Sequence, residues 1–187
     1  MRRRQAVAGV VLALALVASA ALAGPGAAQA TPDTDHAVTR VEVYPDGSAT
    51  WTVRIRTRLA TDDDVTEFEA FQDPFRENRT QYLGPFRSRV RGTVATAADA
   101  TGREMAATNF SASTSVQTVP RRWGVVIYRF EWTGFARQDG DTVVVGDVFE
   151  GGFFVAENDT LAVSAPPSWT VRRVSPDPTD TGNGTVR

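Results

Sequence analysis

The 187-residue sequence contains no cysteine, no lysine and a single histidine, His36. Without cysteine there is no disulfide, no thiolate nucleophile and no thiolate-bound metal, so the core must hold by packing alone. The lone His36 accompanies no Gly-x-Ser-x-Gly and falls near the expected start of the mature chain, where it is expected to be disordered. Serine-triad hydrolysis therefore has no support. Zinc coordination fails for want of ligands, and without lysine no phosphate loop can end in Gly-Lys. Neither a metal nor a cofactor is expected.

All 20 basic residues are arginines, set against 14 aspartates and 8 glutamates, for a formal charge of −2. That balance disfavours general binding of nucleic acid or of anionic membranes. A lysine deficit of this kind follows from GC-rich coding, and with an acid excess it also suits a salt-adapted protein.

Long apolar runs are missing too, except at the start, where Arg2, Arg3 and Arg4 precede an 18-residue stretch from Ala6 to Ala23 and no acid occurs before Asp33. This layout predicts a signal peptide over residues 1–30. Cleavage is possible after Ala23 or after Ala30, and the second site is preferred because it ends the small-residue tract. The competing reading is an uncleaved membrane anchor, for which the run is at the short end of the roughly 17–25 residues that span a bilayer. The paired arginines permit twin-arginine export, although Gln5, Ala6 and Val7 follow them. Cleavage after Ala30 leaves 157 residues and takes the formal charge from −2 to −5 through loss of Arg2, Arg3 and Arg4. That length suits one domain with one core.

From Val38 to Leu59 the pattern alternates with period two and breaks at Tyr44-Pro45-Asp46-Gly47, which predicts a β-hairpin. Trp51, Val53, Ile55 and Leu59 fall on its packed side, and Arg54, Arg56 and Arg58 on the other. Thr61 then caps a helix whose first turn holds Asp62, Asp63 and Asp64. A second helix is expected after Gly84-Pro85, with Phe86, Val90 and Val94 on one side and an end near Gly102. Strands are expected within Glu104–Thr118, over Gly124–Trp132 as a central strand, and at Thr142–Val145, Phe153–Val155, Leu161–Ala165 and Trp169–Val174. Asp139-Gly140 makes the turn before Thr142. The expected fold is α+β and mainly antiparallel, with a two-layer sandwich-like core and a helical insertion near residues 61–100. A single extracytoplasmic domain covers residues 37–175, and residues 176–187, nearly free of apolar side chains, form a flexible tail.

Four groups of residues invite a chemical reading. Arg54, Arg56 and Arg58, together with Arg40, make a cationic stripe fit for polyanionic glycans or lipid headgroups, because the arginine fork matches sulfate and carboxylate. The plainer alternative is a solvated sheet face on which Arg40 pairs with Glu42. Asp147 and Glu150 offer two carboxylates beside aromatic residues, as a glycosidase requires. Their Asp-x-x-Glu-Gly-Gly setting fits a capped turn better, with Asp147 accepting from the backbone and Glu150 reaching back. Asp62, Asp63 and Asp64 lack the alternating spacing of a calcium loop and are read as a helix start. Asn78, Asn109, Asn158 and Asn183 each open an Asn-x-Ser/Thr sequon that an exported chain can have glycosylated.

Pro45–Val53, Thr101-Gly-Arg-Glu-Met105, Gly124–Trp132 and Gly146–Gly152 together resemble an uncharacterised extracytoplasmic domain of halophilic archaea, over about Val38–Pro176. In longer members the domain follows a signal sequence and precedes a linker, a transmembrane helix and a cytoplasmic winged helix-turn-helix. The resemblance implies an outward-facing sensory or interaction module and carries over no catalytic or ligand residue. This sequence stops at Arg187, in what resembles the linker, which is expected of a free-standing secreted version or of one half of a split regulator. The expectation is thus a non-enzymatic exported domain that meets a small ligand or an envelope partner, and no nucleic acid, through its sheet face or the loops of residues 133–152.

Overall fold

A computed structural model describes residues 35–149, 159–166, 169–182 and 184–187. The expected signal segment, the strand Phe153–Val155, Glu150, Asn158 and Asn183 lie outside the described residues.

The hairpin forms as its alternation requires. Strand β1 (His36–Val43) pairs antiparallel with β2 (Ala49–Arg58) in a register that sets Val41 against Trp51 and Val43 against Ala49. Gly47 closes the turn at φ +78°, where a Cβ would lie 2.5 Å from the Ala136 carbonyl oxygen. A Cβ there is both strained and obstructed.

Two helices follow: α1 (Asp62–Glu77) and α2 (Arg79–Thr101). Thr61 starts α1 with a capping box, in which the Asp64 amide donates to its hydroxyl at 3.1 Å and the Thr61 amide donates to the Asp64 carboxylate at 2.8 Å. The α2 helix begins six residues before Pro85, earlier than the Gly84-Pro85 pair predicts. Proline removes one amide donor, whereas the added turns bury Leu83 and stack Tyr82 against Phe75 at 5.0 Å. Tertiary burial outweighs the local stop signal. Gly102 ends α2 in the left-handed conformation, φ +68°.

Strand β3 (Ala106–Gln117) pairs with β4 (Trp123–Thr133), and β4 with β2, both antiparallel. Between Thr108 and Ser111 the register shifts, with Asn109 at φ +51°, a bulge in an edge strand. Strands β5 (Arg137–Asp139) and β6 (Thr142–Val144) form a small separate hairpin through Gly140 and Asp141. After a single 3-10 turn at Asp147–Phe149 the chain reaches β7 (Thr160–Ser164), which pairs with β1 in parallel. The large sheet, ordered β3-β4-β2-β1-β7-β9-β8, is therefore mixed.

Its last two strands, β8 (Thr181–Gly182) and β9 (Thr185–Val186), correct the expectation of an unstructured tail: Val186 pairs with Val163 and Thr185 with Ser164. A short segment needs little apolar content when a sheet edge offers it backbone partners. The strand expected over Trp169–Val174 is absent among the described residues, where this span carries no regular structure.

The expected α+β class, mostly antiparallel, describes this chain, and among the described residues it is the helix pair that covers the large sheet. Phe68, Phe71 and Phe75 of α1 and Phe86, Val90 and Val94 of α2 are buried with Trp51, Val53, Val126, Phe130 and Trp132 of the sheet. Phe68 lies so close to β4 that a Cβ on Gly124 would meet its ring at 2.4 Å. Beside the helices, Trp51, Trp132, Phe135 and Phe149 complete the aromatic core, with Trp51 and Phe135 edge to face at 5.3 Å. No helix among the described residues is long and apolar enough to cross a membrane.

Candidate functional site: an arginine-lined sheet face

Because alternate residues of a strand point to opposite faces, burying Trp51, Val53 and Ile55 under the helices sends Thr52, Arg54, Arg56 and Arg58 to the far face. The register then assembles neighbours that are remote in sequence. Thr52 stands between Arg40 of β1 and Arg129 of β4. Arg54 stands between Val38 and Ile127, and Arg56 between His36 and Val125. Arg58 is opposite Trp123, whose ring meets His36 edge to face at 5.2 Å. His36 is thus part of a strand, not the disordered residue expected from its position.

Five arginines from three adjacent strands therefore share one face, and none of them belongs to an ion pair among the described residues. Arg40, Arg58 and Arg129 are exposed, while Arg54 and Arg56 are half-buried. The Nε of Arg56 is shielded from solvent with no hydrogen-bond partner. Val125, between Arg56 and Ser115 in register, is only 2% exposed and stands outside the main core. Arginine stems commonly cover apolar surface in this way while the charged head stays wet. Partial burial, and then the charges of Arg56 and Arg40, hold the Arg54 guanidinium below its ordinary pKa.

The expected pairing of Arg40 with Glu42 does not form among the described residues. Glu42 lies opposite Thr50, and Thr50 opposite Glu131. Glu131 accepts from Asn109 Nδ2 at 2.6 Å, and Thr50 shares a hydrogen bond with Tyr44 at 3.1 Å. A row of acids thus borders the arginines at the turn end of the sheet, while the His36–Trp123 pair borders them at the other end.

Several arginines elsewhere are engaged. Arg87 and Arg91 lie over the Phe110 ring at 5.7 and 5.6 Å, and Arg122 pairs with Asp62 at 2.6 Å. Arg103 donates to the carbonyls of Gly134 and Phe135 at 3.0 and 3.1 Å and takes Asp147 by both terminal nitrogens. This fork corrects the reading of Asp147 as a backbone cap: its carboxylate holds a guanidinium, and the Phe149 amide closes the turn on the Gly146 carbonyl at 2.9 Å. A carboxylate so engaged clamps the end of α2 to the β4–β5 connection.

Asp62, Asp63 and Asp64 open α1 as expected, and no group of three or more metal-ligating side chains gathers among the described residues. Asn78 joins the two helices, exposed and without a capping contact from its side chain, whereas Asn109 is held by Glu131 inside the β3 bulge.

Arg129 is the member of the cluster that sequence reasoning missed. Parity within Gly124–Trp132 sets it opposite the packed residues, but nothing local says that β4 lies beside β2.

Fold and face together define a sheet domain with a helical cover on one side and, on the other, a cationic surface unpaired among the described residues. The chain belongs to the DUF7345 family, a domain of unknown function, whose model matches residues 40–169. No curated protein matches the chain.

Proposed function

We infer that the chain is an exported, non-enzymatic interaction or sensory domain of the cell envelope, and that it meets an anionic partner through the sheet face of Arg40, Arg54, Arg56, Arg58 and Arg129. The observation that carries this reading is the gathering of these five on one sheet face with no ion-pair partner among the described residues. Clustered like charges destabilise a fold, and such a cluster is retained where a ligand of opposite charge uses it.

Export rests on the signal-like layout of residues 1–30. The resemblance to envelope domains of halophilic archaea supports the same address, with sugar chains on accessible sequons and membrane association where the signal segment stays uncleaved. Use of Asp147 and Glu150 as a glycosidase pair is disfavoured, since Arg103 occupies the Asp147 carboxylate.

The test is expression with the native leader, fractionation, and binding of the exported domain to its own envelope extract, with the Arg54→Glu/Arg56→Glu variant alongside. Wild-type binding that the variant loses at an unchanged melting temperature supports the proposal. Retention of the chain in the cytoplasm, or equal binding by both proteins, overturns it.

A further inference from the structure

The spacing of the arginines on this face bears on what kind of anion fits, an inference that rests on the anion-binding reading above. Along β2 the rows run from Thr52 to Arg58, about 20 Å at ~3.4 Å per residue. Across the sheet Arg40 and Arg129 are separated by two strand spacings, roughly 9.5 Å. A single phosphate or carboxylate bridges two such guanidiniums at most. Occupying the set takes an extended ligand with several negative groups.

The border of the stripe narrows the class further. Glu42 and Glu131 repel an anion that runs past Thr50, so the usable track begins at the Arg40–Thr52–Arg129 row and ends on Trp123 and His36. On the β3 side it is lined by hydroxyls, with Ser111 opposite Arg129, Ser113 opposite Ile127 and Ser115 opposite Val125. Forked cations, hydroxyls and one aromatic end suit a chain of acidic sugars: arginine grips the carboxylate or sulfate, serine and threonine meet ring hydroxyls, and a ring plane can lie on an indole. Duplex nucleic acid fits poorly, because the acid row stands in its path and the chain as a whole carries a formal −2.

We propose that the Arg40, Arg54, Arg56, Arg58 and Arg129 face, ending at Trp123, is a binding track for an acidic polysaccharide laid along β2. Charge complementarity selects the polymer's anionic groups, and the aromatic end selects sugar over other polyanions.

Calorimetric titration of the purified domain checks this with four probes: polygalacturonate, monomeric galacturonate, polyphosphate of matched charge, and anionic phospholipid vesicles. The expected result is binding of polygalacturonate, with no measurable binding of the monomer and weaker binding of polyphosphate. Arg54→Gln and Arg129→Gln should each weaken polygalacturonate about tenfold, as loss of a charge-assisted contact does. Trp123→Leu should weaken polygalacturonate and leave polyphosphate unchanged. Should Trp123→Leu fail to fold, His36→Ala replaces it as the probe of the aromatic end. Polyphosphate or vesicles binding as tightly as polygalacturonate would overturn the sugar assignment while leaving an anion-binding face. No binding to any of the four would overturn the anion-binding reading as well.

Discussion

At the scale of single residues, two glycines show how differently the same residue type is used. A Cβ on Gly124 would enter the Phe68 ring at 2.4 Å, and Phe68, 2% exposed, has nowhere to retreat. Gly124→Ala should therefore cost about 1–3 kcal/mol, the usual penalty for overpacking a filled core. Gly92 lies within α2 with open space around its Cα, so Gly92→Ala should stabilise by about 0.5–1 kcal/mol through helix propensity. Urea titration of the two variants beside the parent chain checks both signs. Equal effects would mean that Phe68 does not seat against β4. Arg103 makes the same point about chemistry: one fork satisfies two carbonyls and a carboxylate, and that use removes Asp147 from the list of reactive groups.

At the scale of elements, the start of α1 was readable because each signal acts within four residues. Thr61 accepts from the Asp64 amide, and the Asp64 carboxylate accepts from the amides of Thr61 and Ala60 at 2.8 and 2.9 Å. These contacts, that with the Thr61 backbone foremost, hold the Asp64 carboxyl below its ordinary 3.8. A carboxyl depressed on folding contributes stability that is present above its unfolded pKa and is lost as pH falls through the folded one. Asp64→Asn should thus lower the melting temperature at pH 7 and flatten its decline below about pH 4. Thr61→Ala should cost about 1 kcal/mol by removing the cap. Thermal melts from pH 7 to pH 2 read both effects, and an unchanged acid slope in Asp64→Asn would refute the first. The hairpin β1–β2, the turn at Gly140 and the strand around Tyr128 were legible for the same local reason. What alternation does not encode is which strands meet and in which direction. The parallel docking of β7 on β1, the pairing of β9 with β7 and the placement of Arg129 beside Thr52 all depend on long-range register. The parity of Arg54, Arg56 and Arg58 was therefore readable from β2 alone, while the five-arginine face was not.

At the scale of the whole molecule, charge is unevenly spread. The helical cover is mixed, with seven acids and one arginine on α1 and four arginines and one aspartate on α2, and it lies on the side opposite the arginine stripe. A formal charge of −2 thus conceals a locally cationic sheet face, an arrangement that favours approach of a polyanion to that face. The stripe has a cost in the free protein, because Arg54 is flanked by Arg56 and Arg40 and no acid among the described residues offsets them. Arg54→Gln, the variant expected to weaken ligand binding, should accordingly raise the stability of the unliganded domain at low ionic strength by a few tenths of a kcal/mol. The gain should fade as salt rises toward 1 M, where the screening length falls to about 3 Å. Melting curves of parent and variant from low to molar salt measure this directly. If Arg54→Gln is instead destabilising at every salt concentration, the guanidinium serves the fold, and the face loses its main claim to be a site kept for a ligand.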